Sequence, residues 1–153
     1  TGGLRGRKRD LHEGGIRVPG IARWPNKIAA GSTCDTPIIG SDIFATMLDI
    51  AHIKPPADRV IDGANVLSAM TGAEARIERA QPLFWRLHMA PNAKIAMRVD
   101  DWKILANADL TEFELYNLKT DERETTDLQT KEPQLFADLR ERLIQHNAAI
   151  NAE

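Results

Sequence analysis

The sequence predicts an α+β fold in which a small antiparallel sheet of about four strands packs against a C-terminal helix. Short runs of β-branched and aromatic residues, separated by turn residues, occupy 83–118. An amphipathic segment follows from 133, and a shorter helical pattern lies near 41–51. The 153 residues suffice for one hydrophobic core without a disulfide or a structural metal.

The amino-terminal part is expected to be irregular before its first helix. The first fifteen residues are rich in glycine and charge and have no apolar periodicity, which is typical of a loop. The apolar stretch 16–25 predicts a buried strand interrupted by a Pro-Gly pair. Ser41 is expected to cap a helix that reaches Ala51, and a second helical run, 66–70, should end at Gly72.

Short runs separated by turn residues, and one helical stripe, define the carboxyl-terminal half. The predicted strands are 83–88, 95–99, 102–105 and 113–118. Asp100-Asp101 and Asn107–Asp109 are expected to form hairpin turns, because Asp and Asn favour turn conformations. The final helix is expected from about Pro133, with one apolar side on the sheet. That side consists of Leu135, Phe136, Leu139, Leu143 and Ile150.

The amino end is locally basic, although the formal net charge of the chain is only −2. Its charged residues are Arg5, Arg7, Lys8, Arg9 and Arg17 against Asp10 and Glu13. Such a surface attracts an anion such as sulfate or phosphate. The near-neutral whole gives no case for nucleic-acid binding, and no apolar run reaches the roughly twenty residues of a membrane span. We therefore expect neither nucleic acid nor membrane as a partner.

Lys8 is the first candidate for chemistry. It lies in the stretch Leu4–Pro19, which reads LRGRKRDLHEGGIRVP. A lysine among glycines offers a compact ammonium that can approach a tetrahedral oxyanion and offset charge on an ester oxygen. The residues alone leave a second interpretation open, in which the basic loop is only a solvated face.

This stretch resembles the sulfatase segment that reads Leu-Arg-Gly-Gly-Lys, four variable residues, then Glu-Gly-Gly-hydrophobic-Arg-x-Pro. The spacing from Lys8 to Glu13 matches that pattern. Further segments resemble the same family in family order. They are Ile21–Ile28, Asp42–Asp49, Ile61–Gly63, Asp101–Lys103 and Glu114–Leu118, followed by Asp121 and Glu124.

The resemblance implies that the chain is the C-terminal part of a formylglycine-dependent sulfuric ester hydrolase. Lys8 would contact the substrate sulfate and protonate or stabilise the leaving oxygen. Arg7 and Arg9 stand where the family more usually has glycine, so they are candidate substrate-binding residues. Residues 1–80 would end the larger alkaline-phosphatase-like α/β domain, to which the amino-terminal loop or strand and the short helix would belong. Residues 81–153 would form the C-terminal subdomain.

Other polar residues are weaker candidates. His88, at the end of a predicted strand, could reach a sugar or a sulfate, although a surface or core histidine is the plainer interpretation. Glu13 and Arg17 match the family pattern but are expected to pin the loop. Asp100-Asp101 could bind a cation, yet adjacent acids in a hairpin are usually turn formers.

The nucleophile motif of the family, Cys/Ser-x-Pro-x-Arg, is absent from the chain. Cys34 does not match it, because Pro37 lies three residues on and Ile38 occupies the place of the arginine. With one cysteine, the chain has no internal disulfide, and Cys34 is expected to be a half-buried thiol. We expect no cofactor or metal in this chain. Calcium and formylglycine are implied for the full-length parent.

The expected partners are a sulfated small molecule or glycan and a missing N-terminal sulfatase domain, so the chain by itself should have no turnover. Resemblance suggests a periplasmic or extracellular parent, and phosphonate or phosphate esters stay open as substrates. A different hypothesis is a non-catalytic domain that binds an anion, a glycan or a partner. A third is a truncated product that self-associates.

Overall fold

The computed structural model describes residues 2–73, 77–88 and 94–152. The elements are α1 Glu13–Ile16, α2 Gly40–Ile50, α3 Leu67–Thr71, β1 Leu83–Leu87, β2 Lys94–Val99, β3 Trp102–Asn107, β4 Phe113–Asn117 and α4 Pro133–Ala152. They fall into two compact units, Thr1–Val18 with Phe84–Glu153, and Pro19–Leu83. The domain boundary after residue 80 stays a prediction.

The four strands form one sheet in the order β1-β2-β3-β4, which confirms the predicted meander. β3 is antiparallel to both of its neighbours, with Ile104 opposite Met97 on β2 and Leu115 on β4. The predicted strand limits agree with the observed ones within two residues. The turn between β2 and β3 contains Asp100 in the left-handed region, at φ 52°, which Asp tolerates better than most residues.

One face of the sheet packs against α4. The buried residues there are Ile95, Met97, Ile104, Ala106, Leu115, Leu139 and Leu143. Trp102 and Phe113 pack against this core, together with Leu135 and Phe136 of α4. Ile150 is a correction to the predicted stripe, because it lies near the end of the helix and is 38% exposed.

The other face of the sheet is covered by the amino-terminal segment. Side chains alternate between the two faces of a strand, and this face carries Ala96, Leu105 and Tyr116, which pack with Leu11 and, less buried, Ile16. Both faces of the sheet are therefore covered within one compact unit. This arrangement positions the basic loop.

The unit Pro19–Leu83 is organised around the buried carboxylate of Asp42. It accepts hydrogen bonds from the backbone amides of Ile39, at 2.8 Å, and Ala64, at 2.8 Å. Arg79 donates to both of its oxygens at 2.7 Å. The prediction that Ser41 caps α2 is wrong: Ile39 is the N-cap, and Asp42 satisfies its amide from inside the first turn.

Two further expectations differ from the structure. The segment 16–25 forms no strand, and Val18 and Ile21 are 80% and 96% exposed. Proline has no amide hydrogen to donate to a strand ladder, and Pro19 interrupts this segment. Cys34 is exposed rather than half-buried, with its thiol 3.2 Å from the hydroxyl of Thr36.

The helices of the described residues include none with the length and apolar character of a membrane span.

Candidate functional site

The three consecutive cations Arg7, Lys8 and Arg9 lie exposed on the loop formed by residues 4–12, here named the Lys8 loop. Lys8 and Arg9 lie in a turn, and Arg9 has a left-handed backbone conformation with φ 75°. Within the described ranges, none of the three forms a hydrogen bond or an ion pair. Three consecutive unpaired cations provide a concentrated site of positive charge for an anion.

A buried ion cluster lies at the carboxyl end of the Lys8 loop. The ammonium of Lys103, on β3, is fully buried and lies 2.8 Å from Glu13 Oε1 and 2.8 Å from Glu124 Oε1. The contact with Glu13 is a hydrogen bond. The contact with Glu124 lacks hydrogen-bond geometry and is coulombic. The other Glu124 oxygen, Oε2, accepts the backbone amide of Glu13 at 2.6 Å, which satisfies a free donor at the start of α1.

A second polar cluster holds the two ends of the loop against β4. The buried ring of His12 contacts Asp10 through Nδ1 at 2.9 Å and Glu114 through Nε2 at 3.2 Å. Both nitrogens can donate when the ring is protonated. Arg5 donates to the hydroxyl of Tyr116 at 2.6 Å and lies 3.1 Å from Glu114. Tyr116 in turn donates a short hydrogen bond to Glu114.

The charges of this cluster shift the acidity of its members. The hydrogen bond from His12, with support from Tyr116 and Arg5, outweighs burial and lowers the pKa of Glu114 to about 2. Burial, strengthened by the hydrogen bond to Glu114, raises the pKa of the Tyr116 hydroxyl. Glu114 is therefore an anion and Tyr116 a neutral donor at any physiological pH. The cluster acts as a fixed support for the loop.

The glycines after Glu13 let the main chain of the loop lie directly against α1. The amide of Gly14 donates to the carbonyl of Arg5 at 2.7 Å. A Cβ at Gly14 would lie 2.5 Å from that carbonyl oxygen, and a Cβ at Gly15 would lie 2.1 Å from the carbonyl oxygen of Asp10. No side chain fits at either position without moving the loop. The Glu-Gly-Gly sequence is therefore a packing requirement.

The structure places the remaining candidates as follows. Arg17 is exposed and lies 3.4 Å from Glu122, so it pins the loop only weakly. His88 is exposed directly after β1 and, in the part of the chain with described positions, shares no hydrogen bond or ion pair with the Lys8 loop. Asp100-Asp101 form the β2–β3 turn.

No group of three or more His, Cys, Asp or Glu side chains among residues 2–73, 77–88 and 94–152 is arranged to hold a metal ion. An open depression lies beside the ion cluster. It is lined by Gly3, Arg5, Arg123, Glu124 and Thr125.

Sequence reasoning missed the roles of Lys103, Glu124, His12 and Glu114. Three of them stand in motifs that the resemblance identified, which are Asp101–Lys103, Glu114–Leu118 and the glutamate at 124. Nothing local in the sequence shows that the partner of Lys103 is Glu13, because 90 residues separate them. The only available signal was the order of the family motifs.

A family model and the known proteins with similar sequences both identify this chain as similar to sulfatases. The family model described as N-sulphoglucosamine sulphohydrolase, C-terminal, matches residues 6–149. Human steryl-sulfatase is 44% identical over 76 residues, which are 50% of this chain and 13% of that protein. A sulfatase of Formosa agariphila is 32% identical over 142 residues, covering 85% of this chain and 26% of that protein. The chain thus spans about a quarter or less of these relatives.

Solved structures show the same fold. Ps i-CgsB superposes with a TM-score of 0.78 at 25% identity over 95% of this chain and 31% of its own, and it has also been solved with k-i-k-neocarrahexaose. A protein solved with its substrate D-glucosamine-2-N,6-O-disulfate superposes with a TM-score of 0.61 at 24% identity. That alignment covers 85% of this chain and 27% of that protein.

Proposed function

Because the chain belongs to the sulfatase family defined by the N-sulphoglucosamine sulphohydrolase C-terminal model, we propose that it forms the substrate side of a sulfuric ester hydrolase. Lys8 is the residue that binds the sulfate group in this proposal. The observation that carries it is that Arg7, Lys8 and Arg9 are exposed and unpaired within the described structure, whereas the polar residues that follow them, Asp10, His12 and Glu13, are paired.

The chemistry of Lys8 follows from the reaction. Hydrolysis of a sulfate ester breaks the bond between sulfur and the ester oxygen, and negative charge develops on that oxygen as it leaves. An ammonium close to the oxygen stabilises this charge and can donate a proton to it. Lys8 is exposed and free to approach a substrate. The nucleophile and calcium site would be supplied by other residues of the complete protein.

We propose a sulfated glycan as the substrate. N-acetylgalactosamine-6-sulfatase of the dog is 46% identical over 69 residues, 44% of this chain and 13% of that protein, and its name specifies a sulfated sugar. Arg7 and Arg9 flank Lys8 and would contact further anionic groups of such a substrate. His88 remains a proposed sugar contact. We also propose an exported parent, periplasmic or extracellular, as the family resemblance implies.

The test compares Lys8→Ala with Lys119→Ala, a matched change of an exposed lysine after β4, in the complete protein that carries this sequence. Sulfate release from a chromogenic aryl sulfate is measured with calcium present. Loss of one preorganised charge at the leaving oxygen should lower kcat on the order of 100-fold or more. Lys119→Ala should leave the rate unchanged.

The outcomes separate the two hypotheses. Full activity of Lys8→Ala would contradict the proposed role of Lys8. Saturable binding of sulfated sugars by a complete protein without turnover would instead favour a non-catalytic glycan-binding domain. Parallel assays with phosphate and phosphonate esters decide which ester class is preferred.

A further inference from the structure

We propose that Lys103, in the second position of β3, is a positioning residue that holds the Lys8 loop in the conformation needed for catalysis. The inference rests on the proposed function of Lys8. It concerns a residue that cannot touch a substrate, because its side chain is fully buried. Its effect must therefore pass through the residues that it contacts.

The first step of the connection runs from β3 to Glu13. A buried ammonium has lost its hydration and requires carboxylate partners. Lys103 has two, Glu13 and Glu124, each 2.8 Å away. Glu124 also accepts the backbone amide of Glu13 at 2.6 Å. Glu13 is thus held through both its side chain and its main chain, and its position relative to β3 is determined.

The second step runs from Glu13 to Lys8. The next two residues, Gly14 and Gly15, lie against the carbonyl groups of the loop. A Cβ on Gly15 would lie 2.1 Å from the carbonyl oxygen of Asp10 and 2.8 Å from that of Arg7. These carbonyls stand on either side of Lys8 in the chain. A shift of Glu13 would therefore displace the backbone that carries Lys8.

A role in positioning explains why this site is ionic. A buried ion cluster generally adds little stability over apolar side chains of the same volume, because desolvation offsets the attraction. Charged hydrogen bonds are directional, however, and they select one arrangement of their partners. Leu105 and Ala96 show that apolar residues fill other positions on the same face of the sheet. The charged side chains of the cluster lie where the Lys8 loop ends and α1 begins.

The decisive variant neutralises the whole cluster with Glu13→Gln, Lys103→Met and Glu124→Gln in the complete protein, so that no buried charge is left unpaired. We expect a folded protein whose kcat/KM for an aryl sulfate falls on the order of 10- to 100-fold, because small misplacements of a catalytic group have effects of this size. The amides of residues 5–12 should exchange hydrogen faster, while those of β2 and β3 should not.

A double-mutant comparison tests whether the effect passes through Lys8. With Lys8→Ala already present, neutralising the cluster should cause no further loss of kcat/KM. An equal fractional loss in both backgrounds, or an unchanged kcat/KM in the folded triple variant, would overturn the proposal. Full activity of Lys8→Ala alone would overturn the proposed function instead, and the exchange of residues 5–12 would still report on the loop.

Two more variants distinguish the proposed effect from misfolding and from general destabilisation. Gly15→Ala perturbs the same connection at its other end without touching a buried charge, and it should reproduce the loss of kcat/KM. The combined change Asp42→Asn and Arg79→Met removes the buried ion pair of the other unit. It should lower stability while leaving the exchange of residues 5–12 as it was, and faster exchange there would count against the proposal.

Discussion

The ammonium nitrogen of Lys103 lies 2.8 Å from a carboxylate oxygen of Glu13, although 90 residues separate the two in the chain. Both side chains are buried, and Glu124 completes the cluster. The contact ties the loop that bears the exposed cations to the centre of the sheet. It makes the stability of the sheet and the geometry of the loop depend on the same charges.

The single change Lys103→Met should lower the free energy of unfolding by about 3 to 5 kcal/mol, because it leaves two buried carboxylates without their cation. Urea denaturation of the complete protein measures the loss. Lys94→Met on β2 is the matched control, since Lys94 is only half-buried and lies 3.8 Å from Asp10. It should lower stability by less than about 1 kcal/mol. Similar losses at the two positions would contradict the expectation.

Glu114 should make stability depend on acid pH. Its pKa is lowered from 4.5 to about 2 in the folded state, first by the hydrogen bond from His12. The stability that it contributes is therefore fully present above its unfolded pKa and is lost as the pH falls from 4.5 towards 2. Because the side chain remains 31% exposed, we expect a contribution of about 1 to 2 kcal/mol.

The measurement is urea unfolding at a series of pH values between about 2 and 6. Glu114→Gln should lower stability near neutral pH and converge with the unmodified protein at the acid end. Glu112→Gln changes an exposed glutamate two residues earlier and should leave the curve in place. Parallel curves for Glu114→Gln and the unmodified protein would rule out the linkage.

Asp42→Ala should destabilise the unit Pro19–Leu83 by about 3 to 5 kcal/mol, since it leaves Arg79 without its carboxylate. Burial by itself raises the pKa of Asp42, but hydrogen bonds from Arg79 and two backbone amides outweigh it and lower the net pKa. Asp49→Ala on the exposed side of α2 should change stability by less than about 0.5 kcal/mol. Thermal unfolding of the two variants side by side checks the difference.

Gly63→Ala and Gly40→Ala should have opposite effects. A Cβ on Gly63 would lie 2.1 Å from the carbonyl oxygen of Ser41, whereas a Cβ on Gly40 would meet nothing within 4 Å. We expect the free energy of unfolding to fall by about 1 to 3 kcal/mol for Gly63→Ala and to rise by about 0.5 kcal/mol for Gly40→Ala. Denaturant titration measures both changes. If Gly63→Ala leaves the free energy of unfolding unchanged, the backbone around Ser41 can shift to admit the methyl group, and the expectation is wrong.

Arg7→Gly and Arg9→Gly remove the two cations that flank Lys8. If the two arginines contact additional anions of a glycan, KM for a disulfated sugar should rise on the order of fivefold per arginine, and KM for a monosulfated aryl ester should stay the same. Arg9→Gly should also gain about 1 kcal/mol of stability, because Arg9 has φ 75°. Equal changes in KM for both substrates would contradict the assignment.

Local patterns predicted most of the regular structure. The four strands, the hairpin turns and α4 depend on the alternation and spacing of apolar residues, and these elements form where expected. The prediction for the start of α2 was wrong because Ser41 and Asp42 are both good capping residues. The side chain that accepts the amide of Ile39 is that of Asp42, and its position also depends on Arg79 and Ala64, which approach it only in the folded unit.

By itself, the sequence determined the α+β class, the strand order and the family, because these depend on periodicity and on motifs that are read in order along the chain. Only the tertiary structure decided that the face of the sheet opposite α4 is covered by protein. Alternation shows that Lys103 and Tyr116 can share a face, but it does not show whether water or protein lies above it. That depends on Glu13 and Arg5, which reach the sheet from about a hundred residues away and replace water as its partners.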